Sequence, residues 1–145
     1  EDWDYKKKPT GKNPILENYI KHTFIKVYEE KKVLEQNVYL GYQYYIVSYG
    51  SHPCCYIKLT KNNYDISNLS VHGGISYNRT ELWCDKDCAK FIGWDYAHYM
   101  DFMLCKYNEE LNMEGHKWTL NELQEEVRKA IEELDIENKK YFKGL

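Results

Sequence analysis

The stretch Val38-Tyr39-Leu40-Gly41-Tyr42-Gln43-Tyr44-Tyr45-Ile46-Val47-Ser48-Tyr49 decides what kind of fold this chain takes. Tyrosines and β-branched residues fill it, and such side chains pack well on a pleated, half-buried surface. It reads as a strand. Gly50-Ser51-His52-Pro53 follows as a turn, in which glycine permits unusual dihedrals and proline pushes His52 away from helix. Cys55–Leu59 is a second short strand. Beyond the loop at Lys61-Asn62-Asn63, Ile66–Ser70 leads into Val71–Tyr77, a strand interrupted by Gly73-Gly74. Leu82–Ala89 is a polar connector, and Phe91–Trp94 is a short apolar run, strand-like, that ends in Asp95.

Helical signals flank this β-rich centre. Asn13-Pro14 reads as an N-cap with proline at the first helical position. From Ile15 to about Leu34, the residues Leu16, Tyr19, Ile20, Thr23 and Val27 fall on one side at helical spacing. The alternative is a helix to Lys21 followed by a strand over Thr23–Tyr28. At the other end, Thr119-Leu120-Asn121-Glu122 has capping-box spacing. Leu120, Leu123, Val127, Ala130, Ile131 and Leu134 then form an apolar stripe. This C-terminal helix reads as packing and solvating, with no part in chemistry. The expectation is a flexible lead over 1–12 and a single α+β domain over 13–145. Its small mixed or antiparallel sheet would carry an N-terminal helix and a packed C-terminal helix.

The chain has 145 residues, and a domain of that size buries roughly 70% of its unfolded surface, so neither staples nor metals are needed for stability. Charged residues make up 30% and the net charge is −3, with the two signs interspersed. No field attracts a nucleic-acid backbone, and direct DNA binding is not expected. Five cysteines, an odd count with Cys54 and Cys55 adjacent, fit a reducing compartment and hence a cytoplasmic setting. The apolar run Tyr44–Tyr49 is far too short to span a bilayer, so no membrane partner is expected. The opening Glu1-Asp2-Trp3-Asp4 has neither the basic nor the apolar region of a signal peptide.

Two segments carry chemistry. In Val71-His72-Gly73-Gly74-Ile75-Ser76-Tyr77, paired glycines inside an apolar stretch cost chain entropy and need a reason. One reason is bare amides approaching an oxyanion or phosphate, and another is a bulge that lets a neighbouring strand pass. His72 beside them can donate to a phosphate or act as acid or base near neutral pH. In Gly93-Trp94-Asp95-Tyr96-Ala97-His98-Tyr99-Met100-Asp101, a helical conformation would put Asp95, His98 and Asp101 on one face at three-residue spacing. A carboxylate beside an imidazole orients the ring and raises its basicity, which suits general-base work or metal ligation. It equally suits a buried pair that ties down a loop. If the segments converge, His72, His98, Asp95 and Asp101 offer a ligand set for Zn²⁺ or Fe²⁺. Cys84 and Cys88 have zinc-like spacing without a second matched pair, Cys54 and Cys55 read as buried small side chains, and Cys105 has no visible base.

The two segments together resemble a family of small proteins common in bacteriophages and prophages. Its members typically carry His-Gly-Gly-(Leu/Ile)-(Thr/Ser)-(Tyr/Phe), and then (Ile/Phe)-Gly-Phe-Asp-x-Ala-His-x-x-Asp. The resemblance covers roughly residues 41–134, with Ser76 for the usual Thr and Trp94 for the usual Phe. The upstream turn at 50–53 has one inserted residue. It implies a phage or prophage origin and a shared site at His72, Gly73, Gly74, Asp95, His98 and Asp101. Small phage proteins often counter host defence. The leading expectation is a counter-defence protein that binds and sequesters a nucleotide-derived immune signal, without a cofactor. In that reading His72, Gly73 and Gly74 hold phosphate, Asp95 takes ribose hydroxyls, Trp94 or Tyr77 stacks on the base, and His98 and Asp101 complete the pocket. The first alternative is a hydrolase of such a signal, with His72 and His98 as acid and base and Asp95 orienting one imidazole. The second is a protein–protein inhibitor with a tyrosine-rich surface. By analogy with signal-sequestering proteins, a homo-oligomer is expected.

Overall fold

The computed structural model describes residues 31–60, 65–103 and 115–143. Five strands form one sheet: β1 Lys31–Tyr39, β2 Tyr42–Tyr49, β3 Pro53–Leu59, β4 Tyr77–Arg79 and β5 Lys90–Asp95. Their order is β1-β2-β3-β5-β4 and every pairing is antiparallel. One helix among the described residues, α1, runs over Leu120–Lys143.

The anticipated single strand over 38–49 is the end of β1, a two-residue turn and the whole of β2. Leu40 and Gly41 both have positive φ, 51° and 83°. That is the type I′ geometry whose twist matches the flanking strands, with Tyr39 opposite Tyr42. The anticipated N-terminal helix is corrected where it reaches the described residues. Lys31–Leu34 lie in β1, hydrogen-bonded to β2, and a β-bulge falls between Val33 and Glu35. Val33 packs on one face of the sheet and Leu34 on the other, the alternation of a strand. The residues that suggested helix, 16 to 27, lie outside the described residues, as do the lead and the alternative strand at 23–28. The described residues therefore form an antiparallel sheet with one C-terminal helix.

Side-chain alternation divides the core in two. On one face Tyr42, Tyr44, Ile46, Cys55, Ile57, Ile92 and Trp94 meet Leu123, Val127, Ala130, Ile131 and Leu134 of α1. The anticipated capping box forms: Thr119 N–H donates to Glu122 Oε1 at 2.8 Å, and Glu122 N–H to Thr119 Oγ1 at 3.3 Å. The other face, Tyr45, Val47, Cys54, Tyr56 and Phe91, is covered by Leu82 and its neighbours in the β4–β5 connection. Polar contacts pin that cover. Tyr45 Oη donates to Asp85 Oδ2 at 2.5 Å, and Lys58 Nζ reaches Asp85 at 3.1 Å and Asp87 at 2.7 Å. No helix among the described residues is long and apolar enough to cross a membrane.

Three outcomes follow from this packing. Leu134 is fully buried, so Leu134→Ala should cost about 2–5 kcal/mol in denaturant unfolding. Burial pushes the Asp85 carboxyl up, but Tyr45, the Asp87 amide and Lys58 outweigh it and hold the group below its ordinary range. A lowered folded value means that stability is complete above the unfolded pKa and is lost as pH falls through the folded one. Asp85→Asn should therefore flatten the acid limb of the stability curve below about pH 4. Among the thiols, burial pushes Cys54 up to about 12 and Cys55 well above its usual value, whereas Cys88 is exposed. Among the thiols of the described residues, alkylation at neutral pH should label Cys88 first, and Cys54 and Cys55 only on unfolding.

Candidate functional site

The site assembles where β5 ends. Antiparallel pairing sets Asp95 opposite Cys54, and the Tyr96 N–H donates to Pro53 O at 3.1 Å, so the chain leaving β5 runs beside the 50–53 turn. It then turns sharply instead of becoming helical. Ala97 N–H donates to Asp95 Oδ1 at 3.1 Å, His98 N–H to Asp101 Oδ2 at 2.9 Å, and Asp101 N–H to His98 O at 2.9 Å. Aspartate competes well for nearby backbone donors, which favours such turns over helix. The turn still brings Asp95 to His98, with Oδ1 to Nε2 at 3.4 Å.

Residues 71–76 are irregular rather than strand and cross over this turn. The His72 ring stacks on Tyr96 at 4.8 Å, with 9° between the planes, and meets Trp118 edge-on at 5.0 Å. Its Nε2 lies 2.8 Å from Asp101 Oδ2. The His98 ring stands 5.3 Å from the His72 ring. Gly73 explains the closeness: its φ is +70°, and a Cβ there would lie 2.1 Å from His98 Nε2. The glycine is needed because an imidazole occupies the space a side chain would take. Gly74, also at positive φ, faces open space. One ligand-capable atom from each of His72, His98 and Asp101 lies within 4.8 Å of the others.

Asp101 is 1% exposed and is bonded on both oxygens. Oδ1 accepts from the Trp118 indole at 2.8 Å, while Oδ2 takes the His98 amide and faces His72. Burial pushes its carboxyl up, yet the His98 amide, the His72 ring and the Trp118 indole prevail and hold it below the ordinary range. Asp95 is tied through Oδ2 to Ser76 Oγ at 3.1 Å.

Of the residues expected at the site, His72, Gly73, Asp95, His98 and Asp101 come together, and Gly74 lies at the rim. Trp94 and Tyr77 stand elsewhere. Trp94 is 1% exposed on the α1 face, its indole donating to Tyr96 Oη at 2.9 Å. Tyr77 packs edge-on against Tyr56 on the opposite face and donates to Glu81 O. Neither offers a free ring to a ligand at His72.

Three residues join the site without having been singled out. Glu126 of α1 accepts the His72 N–H at 2.8 Å and also the Tyr96 hydroxyl, so the helix has a part in holding the site. A signal existed: Glu126 sits three residues after Leu123 and four before Ala130, inside the apolar stripe. Trp118 carries Asp101, and no spacing rule marks it. His52 lies half-buried on the 50–53 turn, its Nδ1 2.8 Å from Ser51 Oγ. Burial lowers its pKa, and the charges of Asp95 and Asp101 offset that only in part.

Gly73→Ala should displace His98 and leave the sheet intact. The expected result is unchanged far-UV circular dichroism with a shifted His98 ring resonance in NMR. An unmoved resonance would show that the close approach is not what the glycine serves.

A family described as a domain of unknown function (DUF3825) matches residues 1–49, which reach the end of β2 and stop short of every site residue. No curated protein and no solved structure matches the chain.

Proposed function

We propose that the chain hydrolyses a phosphodiester bond in a nucleotide-derived ligand at the His72–His98 face, and that it does so as a phage-borne protein acting against a host immune signal. One observation carries the chemistry: two imidazoles stand 5.3 Å apart, and each faces its own carboxylate, His72 facing Asp101 and His98 facing Asp95. Phosphodiester hydrolysis needs a base for the attacking oxygen and an acid for the leaving one, and a pair of positioned histidines serves both near neutral pH. The carboxylates orient the rings and stabilise whichever becomes charged. The His98 side chain is 44% exposed, so a substrate can reach it. The biological setting rests on the paired motifs at 71–77 and 91–101.

Cleavage is favoured over storage by the same geometry. Storage as expected from the sequence relies on an aromatic ring free to stack at the site. The aromatic rings expected for that role, Trp94 and Tyr77, lie in the core and on the far face.

The test is incubation with cyclic dinucleotides and cyclic ADP-ribose-type signals, followed by heat denaturation and mass spectrometry of what is released. A cleaved product is expected, and His98→Gln should slow its formation by about 10²–10⁴-fold with the fold retained. A ligand depleted and returned intact would replace cleavage by storage. With no depletion at all, the nucleotide reading fails and an inhibitory protein contact takes its place.

A further inference from the structure

We infer that His72, His98 and Asp101 form a binding site for one divalent transition-metal ion of the zinc type. The inference deepens the hydrolytic reading of the same residues, but the binding can be read without any substrate.

Two imidazoles and one carboxylate are a donor set that suits zinc, with a fourth position left for water. The ligand atoms lie within 4.8 Å of one another, and His72 Nε2 and Asp101 Oδ2 are already 2.8 Å apart. A tetrahedral ion with bonds of about 2.0–2.1 Å holds its ligand atoms about 3.3 Å apart, so the His72–Asp101 pair must open by about 0.5 Å, its hydrogen bond giving way to the ion, and the widest separation must close by a shift of about 1.5 Å. That shift falls on His98, the half-exposed member at the rim.

The other two ligands are held as metal ligands usually are, by a ring of outer contacts. Asp101 is fixed by the Trp118 indole and the His98 amide. His72 is fixed by its stack on Tyr96 and by its amide bond to Glu126. Gly73 leaves the imidazole of His98 room to approach, and Asp95 stands 3.4 Å from it as a second carboxylate. The two carboxylates give the site the sign that a dication needs. An ion held there supplies a Lewis acid and a water acidic enough to attack at neutral pH. Asp95 is then placed to take the proton that this water gives up. His72 and His98 become ligands, and the roles of base and acid both pass to Asp95, which takes the proton of the attacking water and returns it to the leaving oxygen.

Metal-stripped protein would be titrated with Zn²⁺ by calorimetry and with Co²⁺ by visible absorption. One ion per chain is expected, with the absorption of a low-coordinate cobalt site. His98→Gln, checked by circular dichroism, should weaken binding at least tenfold. The double variant Cys84→Ser/Cys88→Ser should bind as the wild type does, because those thiols lie in the β4–β5 connection. Absence of saturable binding overturns the inference, as does binding that survives His98→Gln and disappears with the two thiols. Hydrolysis by metal-stripped protein that takes up no ion would remove the metal and leave the hydrolytic reading standing. An ion bound through His98 with every signal returned uncut would do the reverse.

Discussion

A carboxylate with almost no exposed surface must find partners for its charge, because leaving it unpaired in a low-dielectric interior is costly. Asp101 meets that demand with three donors from three stretches of chain: the His98 amide, the Trp118 indole and the His72 ring. None of these stretches is helix or strand, so no ladder of backbone bonds holds them in place. Their arrangement follows from the need to satisfy one acid. The short pairing between Met100–Phe102 and His116 closes the same knot, with His116 N–H donating to Met100 O at 2.8 Å and Phe102 N–H to His116 O at 3.0 Å. His116 is in turn bound to Glu122 of the capping box, so the knot connects with the first turn of α1.

The sheet supplies the platform and the helix the wall. Because strand side chains alternate, β5 sends Ile92 and Trp94 towards α1 and Phe91 to the opposite face. Tyr96 continues the α1-facing series past the strand end, and there it becomes the floor on which His72 stacks. Its hydroxyl links Trp94 in the core to Glu126 on the helix. The site is thus an extension of the apolar core into polar groups, with its rim at Gly74 and His98.

The legible parts were those governed by local chemistry. The capping box and apolar stripe announced α1, and the tyrosine-rich run announced β2. The His72 and Asp95–Asp101 segments were singled out by glycines next to histidine and by three-residue spacing, and they do converge. The expectation of an N-terminal helix reaching Leu34 fails at Lys31–Leu34, because a helical period was carried from residues 16–27 into a stretch where pairing with β2 decides the conformation. Leu40-Gly41 was missed as a turn, since leucine rarely adopts positive φ and hid the signal that asparagine or aspartate would have given there. Trp94 was misplaced because strand parity, not aromatic character, decides which face a residue takes. Trp118 and His52 depend on contacts across the fold, which local spacing does not encode.

The tight turn at Leu40-Gly41 also sets an order of events. A hairpin closed by two residues brings its strands together over the shortest loop the chain allows, and such hairpins form in roughly 1–10 μs. The contacts that build the site span 29 residues between His72 and Asp101 and 54 between His72 and Glu126. Long loops of this kind close late, once other contacts have shortened them. A molecule with β1 and β2 paired can therefore exist with its histidines still apart. The knot around Asp101 thus rests on loop closures far longer than the one that forms the hairpin.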